Sequence, residues 1–319
     1  MATIASRLDQ LFLILFALLL PLSFSVNASL AEGGRKAEVS GNDTLVYPTF
    51  VTIDDGAVCL SGKPASYYFL PGYGDGLRNW LLFLNGGGWC KNISDCRTYI
   101  HRKGLDNDAV PIAFRDDTIF SNNSDKNPEF YNWNKVWVRY CDGSSFTGNS
   151  QKTKNGTTYY FRGARIFNAV IQELLGKGMD RAENVLLLGS SAGGVATAIY
   201  CDRFRGFLPS AFRVKCFSDG GYFFLSNHHI KGNQFLSFFK GLINLHGSTD
   251  ALPKSCTSKL TAALCFFPPN LKDGIYTPIF FLNSAFDLVQ INYTLSIEYA
   301  DCANHRNCSS RQVRVLQDL

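Results

Sequence analysis

Ser191 lies between Gly189 and Gly193 in a Gly-x-Ser-x-Gly pattern that follows the apolar run 185–188. A helix-forming stretch comes directly after the second glycine. This order of strand, sharp turn and helix is typical of a nucleophile elbow, which exposes a serine at the top of a sheet. The glycines remove side chains where the strand and the helix come together. The pattern predicts that Ser191 is a nucleophile for acyl transfer of the esterase type.

Three successive glycines, residues 86–88, follow another apolar run at 80–84. Backbone N–H groups in such a loop can face a ligand without obstruction by side chains. Hydrolases with a nucleophile elbow build an oxyanion hole from this kind of loop and from the N–H group after the nucleophile. We therefore expect one donor at Ala192 and the others within the glycine loop. Taken alone, the glycines would indicate only a tight turn.

The acid that completes such a site should follow a later strand. Asp287 comes shortly after the apolar run 278–282, and its carboxylate could orient a histidine and stabilise the imidazolium. Asp219 also follows an apolar run and is the rival candidate. Either carboxylate could instead cap a turn.

The histidine base is harder to place. The usual chain order in this fold is serine, acid, histidine, and only His305 follows Asp287. The intervening segment leaves little room for a crossover helix and a further strand, so we interpret His305 as an exposed loop residue. His228 and His229 are adjacent, and adjacent side chains point apart, which favours a surface loop over a metal pair.

Apolar runs with the length of buried strands alternate with helical patterns. The helical pattern at 162–175 ends at Gly176. Near-continuous apolar strands separated by helices predict an α/β fold with a doubly wound, mostly parallel sheet, α/β-hydrolase-like and forming a single domain over 45–319. Ligands bind at the carboxyl ends of such strands, where the candidate residues lie. The predicted strands are 80–84, 135–140, 185–188, 213–217 and 278–282.

The first residues predict secretion. Arg7 precedes an apolar run at 11–26, and a small-residue cleavage site follows. The run is short for a membrane span and contains Pro21. We expect a signal peptide over 1–28, an N-terminal extension over 29–44, and no stable membrane insertion after cleavage. An uncleaved anchor is the alternative.

Ten cysteines in a secreted chain predict five disulfides. Three pairs are close enough in sequence to close local loops, but the sequence does not fix the connectivity. Zinc is the rival explanation, and because no Cys-x-x-Cys or paired-histidine spacing supports it we expect neither a metal nor a cofactor. The close pairs are Cys90/Cys96, Cys256/Cys265 and Cys302/Cys308. Glycosylation sequons begin at Asn42, Asn92, Asn122, Asn155, Asn292 and Asn307.

The net charge of +5 suits an acidic matrix or polysaccharide as partner. Removal of residues 1–28 leaves this value unchanged, because Arg7 and Asp9 cancel. The charge is too modest and too scattered to indicate nucleic acid. An ordinary soluble surface would carry the same charge.

Together, several motifs make the chain resemble the plant pectin acetylesterases and, more distantly, the animal protein Notum. The resemblance covers roughly 45–319. It implies a secreted cell-wall esterase that removes acetyl groups from galacturonate units of pectin. It also implies Ser191 as nucleophile, favours Asp287 as acid, and places oxyanion donors at Gly87, Gly88 and Ala192. The motifs are Asn85-Gly86-Gly87-Gly88-Trp89-Cys90, Phe130-Tyr131-Asn132-Trp133-Asn134, Arg139-Tyr140-Cys141-Asp142-Gly143, Gly189-Ser190-Ser191-Ala192-Gly193-Gly194 and Leu282-Asn283-Ser284-Ala285-Phe286-Asp287.

Two departures from the family pattern bear on activity. The family commonly has Glu where this chain has Asn85, and its catalytic histidine lies in a His-Cys motif near the C-terminus that this sequence does not match. Ser309 and Ser310 predict the start of an amphipathic helix in which the sequence stops. We therefore expect a shortened chain that is weakly active or inactive. A naturally frayed terminal helix is the alternative.

Two other functions fit the same residues. A non-catalytic pectin-binding protein could keep the pocket and lose turnover. A Notum-like esterase would act on a lipid ester and prefer long acyl chains.

Overall fold

The computed structural model describes residues 43–54, 56–105, 108–226 and 232–318. These residues all fall within one compact unit. The expected signal peptide and nearly all of the expected extension lie outside the described residues. Of the helices in the described part, none has the length and apolar character needed to cross a bilayer.

The described chain contains eleven strands and eight α-helices, numbered here in chain order. The strands are β1 (Thr44–Val46), β2 (Pro48–Phe50), β3 (Ser66–Leu70), β4 (Asn79–Leu84), β5 (Ile112–Phe114), β6 (Asn134–Val138), β7 (Ser150–Lys154), β8 (Thr157–Phe161), β9 (Asn184–Ser190), β10 (Arg213–Asp219) and β11 (Ile279–Leu282). The helices are α1 (Ile93–Lys103), α2 (Gly163–Gly176), α3 (Ala192–Gly206), α4 (Gly232–His246), α5 (Lys254–Thr257), α6 (Leu288–Thr294), α7 (Ile297–His305) and α8 (Ser310–Gln317). Short 3-10 turns occur at Gly74–Arg78, Met179–Arg181, Thr249–Ala251, Leu264–Phe266, Pro268–Asn270 and Lys272–Gly274.

A seven-stranded sheet with the order β11-β10-β9-β4-β6-β3-β2 forms the centre of the fold. The five strands from β11 to β6 are parallel, and they are the five that the sequence predicts. The chain moves from β4 to β6 in one direction and from β9 to β11 in the other. The direction therefore reverses between β4 and β9, and ligands bind at such reversals in open α/β sheets. The glycine loop and Ser191 follow these two strands directly.

Both faces of the sheet carry packed side chains. On one face, α2 and α3 lie together, and the rings of Phe167 and Tyr200 stack with centroids 3.9 Å apart. On the other face, Phe83 and Trp137 pack against Phe120, which belongs to an irregular segment before β6. Alternation along β4 and β6 places Trp80, Leu82, Leu84, Val136 and Val138 on the face that the helices cover.

The antiparallel strands β2 and β3 extend the sheet beyond β6 and are not among the strands that the sequence predicts. The same holds for the β7–β8 hairpin, which turns at Asn155 and Gly156 with positive φ angles of 51° and 75°. Two such residues in succession are typical of a two-residue hairpin turn. These strands are short or exposed, so their apolar pattern is weak.

The last three helices form a small cluster of their own. Ile291, Ala300, Cys302 and Leu316 are its buried residues. Ser309 caps α8, since its hydroxyl accepts a bond from the Gln312 N–H while the Gln312 side chain accepts from the Ser309 N–H. The helix start predicted at Ser309 and Ser310 is thus confirmed.

All ten cysteines form disulfides. The three close pairs are bonded as the spacing suggests. The other two disulfides join Cys59 to Cys141 and Cys201 to Cys216. The bridge of 82 residues between Cys59 and Cys141 ties the segment before β3 to the end of β6.

Candidate active site

Ser191 stands at the turn between β9 and α3 with φ 54° and ψ −119°, a conformation that L-residues rarely adopt. Its backbone N–H donates to the Asp219 carbonyl at 2.8 Å, and its carbonyl accepts from the Val195 N–H. The residue precedes α3, yet its hydroxyl makes no capping bond. The strained backbone therefore presents a half-buried hydroxyl that the helix does not use.

The glycines around this turn allow backbones to touch. A Cβ added at Gly193 would lie 1.9 Å from the Leu84 carbonyl oxygen, and one at Gly189 would lie 2.3 Å from the Gly193 oxygen. A Cβ at Gly86 would lie 3.0 Å from the Ser191 Cβ. The structure thus brings the glycine loop and the serine turn into direct contact, as the two sequence motifs predict.

Two tyrosine hydroxyls donate hydrogen bonds to backbone carbonyls of the glycine loop. The Tyr99 hydroxyl donates to the Gly87 carbonyl at 3.2 Å, and the Tyr140 hydroxyl donates to the Gly88 carbonyl at 2.8 Å. Both tyrosines are buried, and burial raises the pKa of each hydroxyl, so both remain donors at neutral pH. Bonds that fix the two carbonyl groups also fix the orientation of the peptide planes in the loop.

A buried loop at Asp142 supports Tyr140 in turn. One Asp142 oxygen accepts from the backbone N–H groups of Ser144 and Phe146 and from the Ser144 hydroxyl. This bends the chain so that Ser145 and Phe146 have positive φ angles of 55° and 58°. The Ser145 N–H then donates to the Tyr140 hydroxyl at 2.9 Å, and the Trp89 ring N–H donates to the Ser145 hydroxyl at 2.8 Å. Burial outweighs these bonds and raises the Asp142 pKa to about 6.

Asp287 lies at the start of α6, where one of its side-chain oxygens accepts from the Gln290 N–H at 2.8 Å. Burial raises its pKa, and backbone bonds from Gln290 and Val289 oppose that shift. The Gln290 amide, itself buried, donates to the carbonyl of Phe224 and accepts from its N–H, both at 3.0 Å. The helix that begins at the candidate acid is therefore fixed to the segment that follows β10.

Backbone hydrogen bonds connect the ends of three strands across the site. The Ser191 N–H binds the Asp219 carbonyl, and the Gly220 N–H binds the Leu282 carbonyl at 2.8 Å. Asp219 thus lies between the serine and the segment that carries Asp287. The neighbouring Ser218 side chain faces α3, because its hydroxyl donates to the Gly194 carbonyl of that helix. Successive side chains of a strand point to opposite faces, so the Asp219 side chain points to the face away from α3. Burial raises the Asp219 pKa to about 6.

The described histidines contact other parts of the fold. His246 is buried, and its Nε2 donates to the Cys90 carbonyl at 2.8 Å, while burial lowers its pKa to about 3. His305 is exposed as predicted, but it ends a helix rather than lying in a loop, and its Nδ1 donates to the Asp301 carbonyl at 2.8 Å. His228 and His229 lie outside the described residues.

One group of side chains has the spacing of a metal site. The sulfurs of Cys90 and Cys96 lie near a ring nitrogen of His246. Because the two sulfurs are joined in a disulfide, neither is available as a thiolate ligand.

The supporting network was not predicted from the sequence. The motif from Arg139 to Gly143 carries the resemblance but has no predicted role. Its tyrosine binds the glycine loop, and its aspartate fixes the turn that supports the tyrosine. An aspartate beside a glycine shortly after a predicted strand is the signal that indicates this turn.

The sequence is similar to a known protein family and to several of its members. The family model described as Pectinacetylesterase matches residues 39–319. Pectin acetylesterase 7 of Arabidopsis thaliana is 40% identical over 273 residues, which cover 82% of this chain and 69% of that protein. Pectin acetylesterase 5 of the same plant is 41% identical, covering 83% of this chain and 64% of that protein. The chain thus spans about two thirds of the length of these relatives.

More distant matches share the fold. Palmitoleoyl-protein carboxylesterase notum2 of Xenopus laevis is 31% identical over 73% of this chain and 50% of that protein. A crystal structure of the Wnt deacylase Notum from Drosophila superimposes with a TM-score of 0.73 at 22% identity, covering 86% of this chain and 79% of that one. The match confirms an α/β-hydrolase-like fold with a mostly parallel sheet.

Proposed function

The chain belongs to the pectinacetylesterase family of carboxylic ester hydrolases, and from this membership we propose that it removes acetyl groups from cell-wall pectin and releases acetate. The observation that carries the proposal is the contact between Ser191 and the glycine loop at the point where the strand order reverses.

In the proposed reaction, the Ser191 oxygen attacks the acetyl carbonyl carbon. The N–H groups of Gly87, Gly88 and Ala192 stabilise the oxyanion that forms. The bond between the acetyl carbon and the sugar oxygen then breaks, and the proton given up by the Ser191 hydroxyl passes to the sugar oxygen, so that the sugar leaves as an alcohol. Water attacks the acetyl-serine, which releases acetate and restores the hydroxyl.

Asp287 is the proposed acid, because it begins the helix that follows the last parallel strand, and burial raises the pKa of its carboxyl. It would orient the general base and stabilise that base when it is protonated. We assign the base to neither His246 nor His305, since each contacts a backbone carbonyl elsewhere.

A partner and a location follow from the same proposal. The substrate would be an acidic polysaccharide in the cell wall, which the net charge of +5 suits. Five disulfides are expected of a secreted protein, because they persist in oxidising compartments.

The test is release of acetate from acetylated pectin by the purified chain, with Ser191→Ala as control. Because no histidine is assigned as the base, we expect slow release that the substitution removes, and release at the rate of a complete triad would contradict the expected low activity. Binding of pectin without Ser191-dependent release would instead support a non-catalytic pectin-binding protein. Faster cleavage of long acyl esters than of acetyl esters would support an enzyme that acts on lipid esters.

A further inference from the structure

An open cavity of about 410 Å³ lies between the start of α1 and the helices α4 and α6. The rings of Phe238 and Tyr293 line it, together with the polar residues Lys91, Asn92, Ser94, Asp95 and Thr98. The Asp95 carboxylate accepts a bond from the Lys91 backbone N–H. Lys91 is three residues after Gly88, a span of at most about 11 Å. Tyr293 is six residues after Asp287 along α6, a rise of about 9 Å. The lining residues therefore lie close in the chain to the glycine loop, and one of them belongs to the helix that begins at the candidate acid.

The Lys91 ammonium is the positive group of this cavity. It lies over the Phe238 ring, 5.1 Å from the centroid, and within the described part of the chain it has no ion pair. The nearby carboxylate of Asp95 accepts from the Lys91 backbone N–H at 3.0 Å, which fixes the start of α1. The Phe238 ring attracts the ammonium through its electron-rich face. The ring offers no oxygen or nitrogen acceptor, so the three N–H groups of Lys91 remain able to bind an anion.

The backbone of Lys91 is held close to α4. A Cβ added at Gly241 would lie 3.4 Å from the Lys91 carbonyl oxygen and 3.6 Å from its Cβ, so α4 approaches this residue through a glycine. The ammonium therefore extends over Phe238 from a fixed position rather than from a mobile loop.

The aromatic side of the cavity is rigid. The Tyr293 ring stacks on Phe235 with centroids 4.4 Å apart and meets Phe238 edge-on at 5.1 Å. Burial, with a smaller effect from Asp95, raises the Tyr293 pKa to about 12, so its hydroxyl is a neutral donor and acceptor. Fixed rings beside hydroxyl groups and one cation match a ligand that has an apolar ring face, several hydroxyls and one carboxylate.

We propose that this cavity is a second sugar subsite, in which Lys91 binds the carboxylate of a uronate unit while the acetylated unit of the same polymer lies at Ser191. The inference rests on the proposed pectin substrate and deepens it. A polymer that extends from the glycine loop along α1 would reach the cavity with a neighbouring unit. The subsite then selects chains whose carboxylates are free over chains whose carboxylates are esterified.

The test measures binding of an oligogalacturonate without acetyl groups, so that no chemistry is needed. Ser191→Ala serves as the reference protein and is compared with Ser191→Ala/Lys91→Met. Ser191→Ala/Lys259→Met is the matched control, because Lys259 is also an exposed lysine and does not line the cavity. Production in a bacterial periplasm allows disulfides and avoids a glycan at Asn92, which lies on the cavity wall.

We expect Lys91→Met to weaken binding about five- to tenfold, as for one charge-assisted contact at a partly exposed site. The Lys259 variant should bind like the reference, and the fully methyl-esterified oligomer should bind the reference and the Lys91 variant equally. Unchanged affinity in the Lys91 variant, or an equal loss for the esterified oligomer, overturns the subsite. Acetate release is measured separately on the Ser191 protein, so the subsite and the esterase function can fail independently.

Discussion

Among single residues, Ser191 is unusual because contacts of its backbone leave its hydroxyl without a capping bond to the helix that follows. A serine before a helix usually accepts a bond from an N–H group of the first turn. Here the turn is fixed by the bond to the Asp219 carbonyl and by the glycine contacts, so no capping bond forms. Strain of this kind costs about 1–3 kcal/mol and persists only where the surroundings determine it fully.

Asp287→Asn tests the candidate acid. Asparagine caps a helix about as well as aspartate, so the free energy of unfolding should change little. The substituted side chain cannot stabilise a protonated base, so the slow acetate release should fall by more than about tenfold, which is part of the ~10⁴-fold loss seen in a complete triad. Asp219→Asn is the comparison and should cost less than about tenfold in kcat, since that side chain points to the other face of the sheet. A larger loss in the Asp219 variant would reverse the assignment.

The raised pKa of Asp219 predicts how the stability of the protein depends on pH. The pKa of this residue is raised from 3.8 to about 6, so the fold favours the neutral carboxyl. This residue therefore lowers stability as pH rises from about 4 to 6, and the loss is complete above that range. Asp219→Asn should be more stable than the wild type at about pH 7, and the two should converge below about pH 4. Urea unfolding across this range measures the difference, and a difference that does not depend on pH would contradict the prediction.

Tyr140→Phe tests the support of the glycine loop. The substitution removes the donor to the Gly88 carbonyl and the acceptor of the Ser145 N–H. We expect a stability loss of about 1–3 kcal/mol. We also expect a fall in kcat of up to ~10²-fold, the effect of losing one oxyanion donor, with little change in KM.

The matched control for this variant is Tyr200→Phe. The Tyr200 hydroxyl is also buried, and it donates to the Phe146 carbonyl of the same supporting loop at 2.7 Å without contacting the glycine loop. The Tyr200→Phe variant should lose stability and keep the kcat of the unsubstituted protein. Equal kcat losses in the two variants would mean that Tyr140 has only a general structural role.

At the scale of elements, the close approach of α3 to the end of β4 positions the site. A Cβ at Gly193 would meet the Leu84 and Asn85 carbonyl oxygens at 1.9 and 2.7 Å, which are backbone atoms. Gly193→Ala should therefore displace the glycine loop from Ser191. Displacement by about 1 Å can cost 10²-fold in rate, and we expect a loss of that order in acetate release.

Gly206→Ala provides the control for this element. It lies at the other end of α3, and an added Cβ there meets no atom within 4 Å. It should keep full activity and gain about 0.4–1 kcal/mol of stability, because alanine restricts the unfolded chain. Normal activity in Gly193→Ala would show that the contact with β4 does not position the loop.

The parallel strands could be predicted because each is a continuous apolar run followed by chemically distinctive residues. The antiparallel strands β2 and β3 could not, since neither is a continuous apolar run and their pairing with each other and with β6 is formed only in the folded chain. At the site, Ser191 and the glycine loop were predicted from local motifs. The tyrosines could not be, because Tyr99 and Gly87 meet only after the chain between them has folded.

At the scale of the whole molecule, the disulfides differ in how much chain they enclose. Three close loops of six to nine residues, whereas Cys59–Cys141 spans 82 residues. This long bridge ends beside Asp142, whose loop supports Tyr140. The same covalent link therefore restricts the unfolded chain and anchors the network behind the glycine loop.

Replacing each bridge with a pair of alanines should separate these roles. Loop-closure entropy predicts a loss of about 4–5 kcal/mol without Cys59–Cys141 and about 2 kcal/mol without Cys302–Cys308, measured by urea unfolding. Alanine is suitable because Cys59 and Cys141 are both fully buried, and a polar replacement such as serine would bury an unpaired hydroxyl and add a separate loss of stability. Under conditions where each variant is still folded, only the first should also lose kcat, because its bridge adjoins Asp142. If the two variants lost equal stability and equal kcat, neither loop length nor the position of the bridge would account for its contribution.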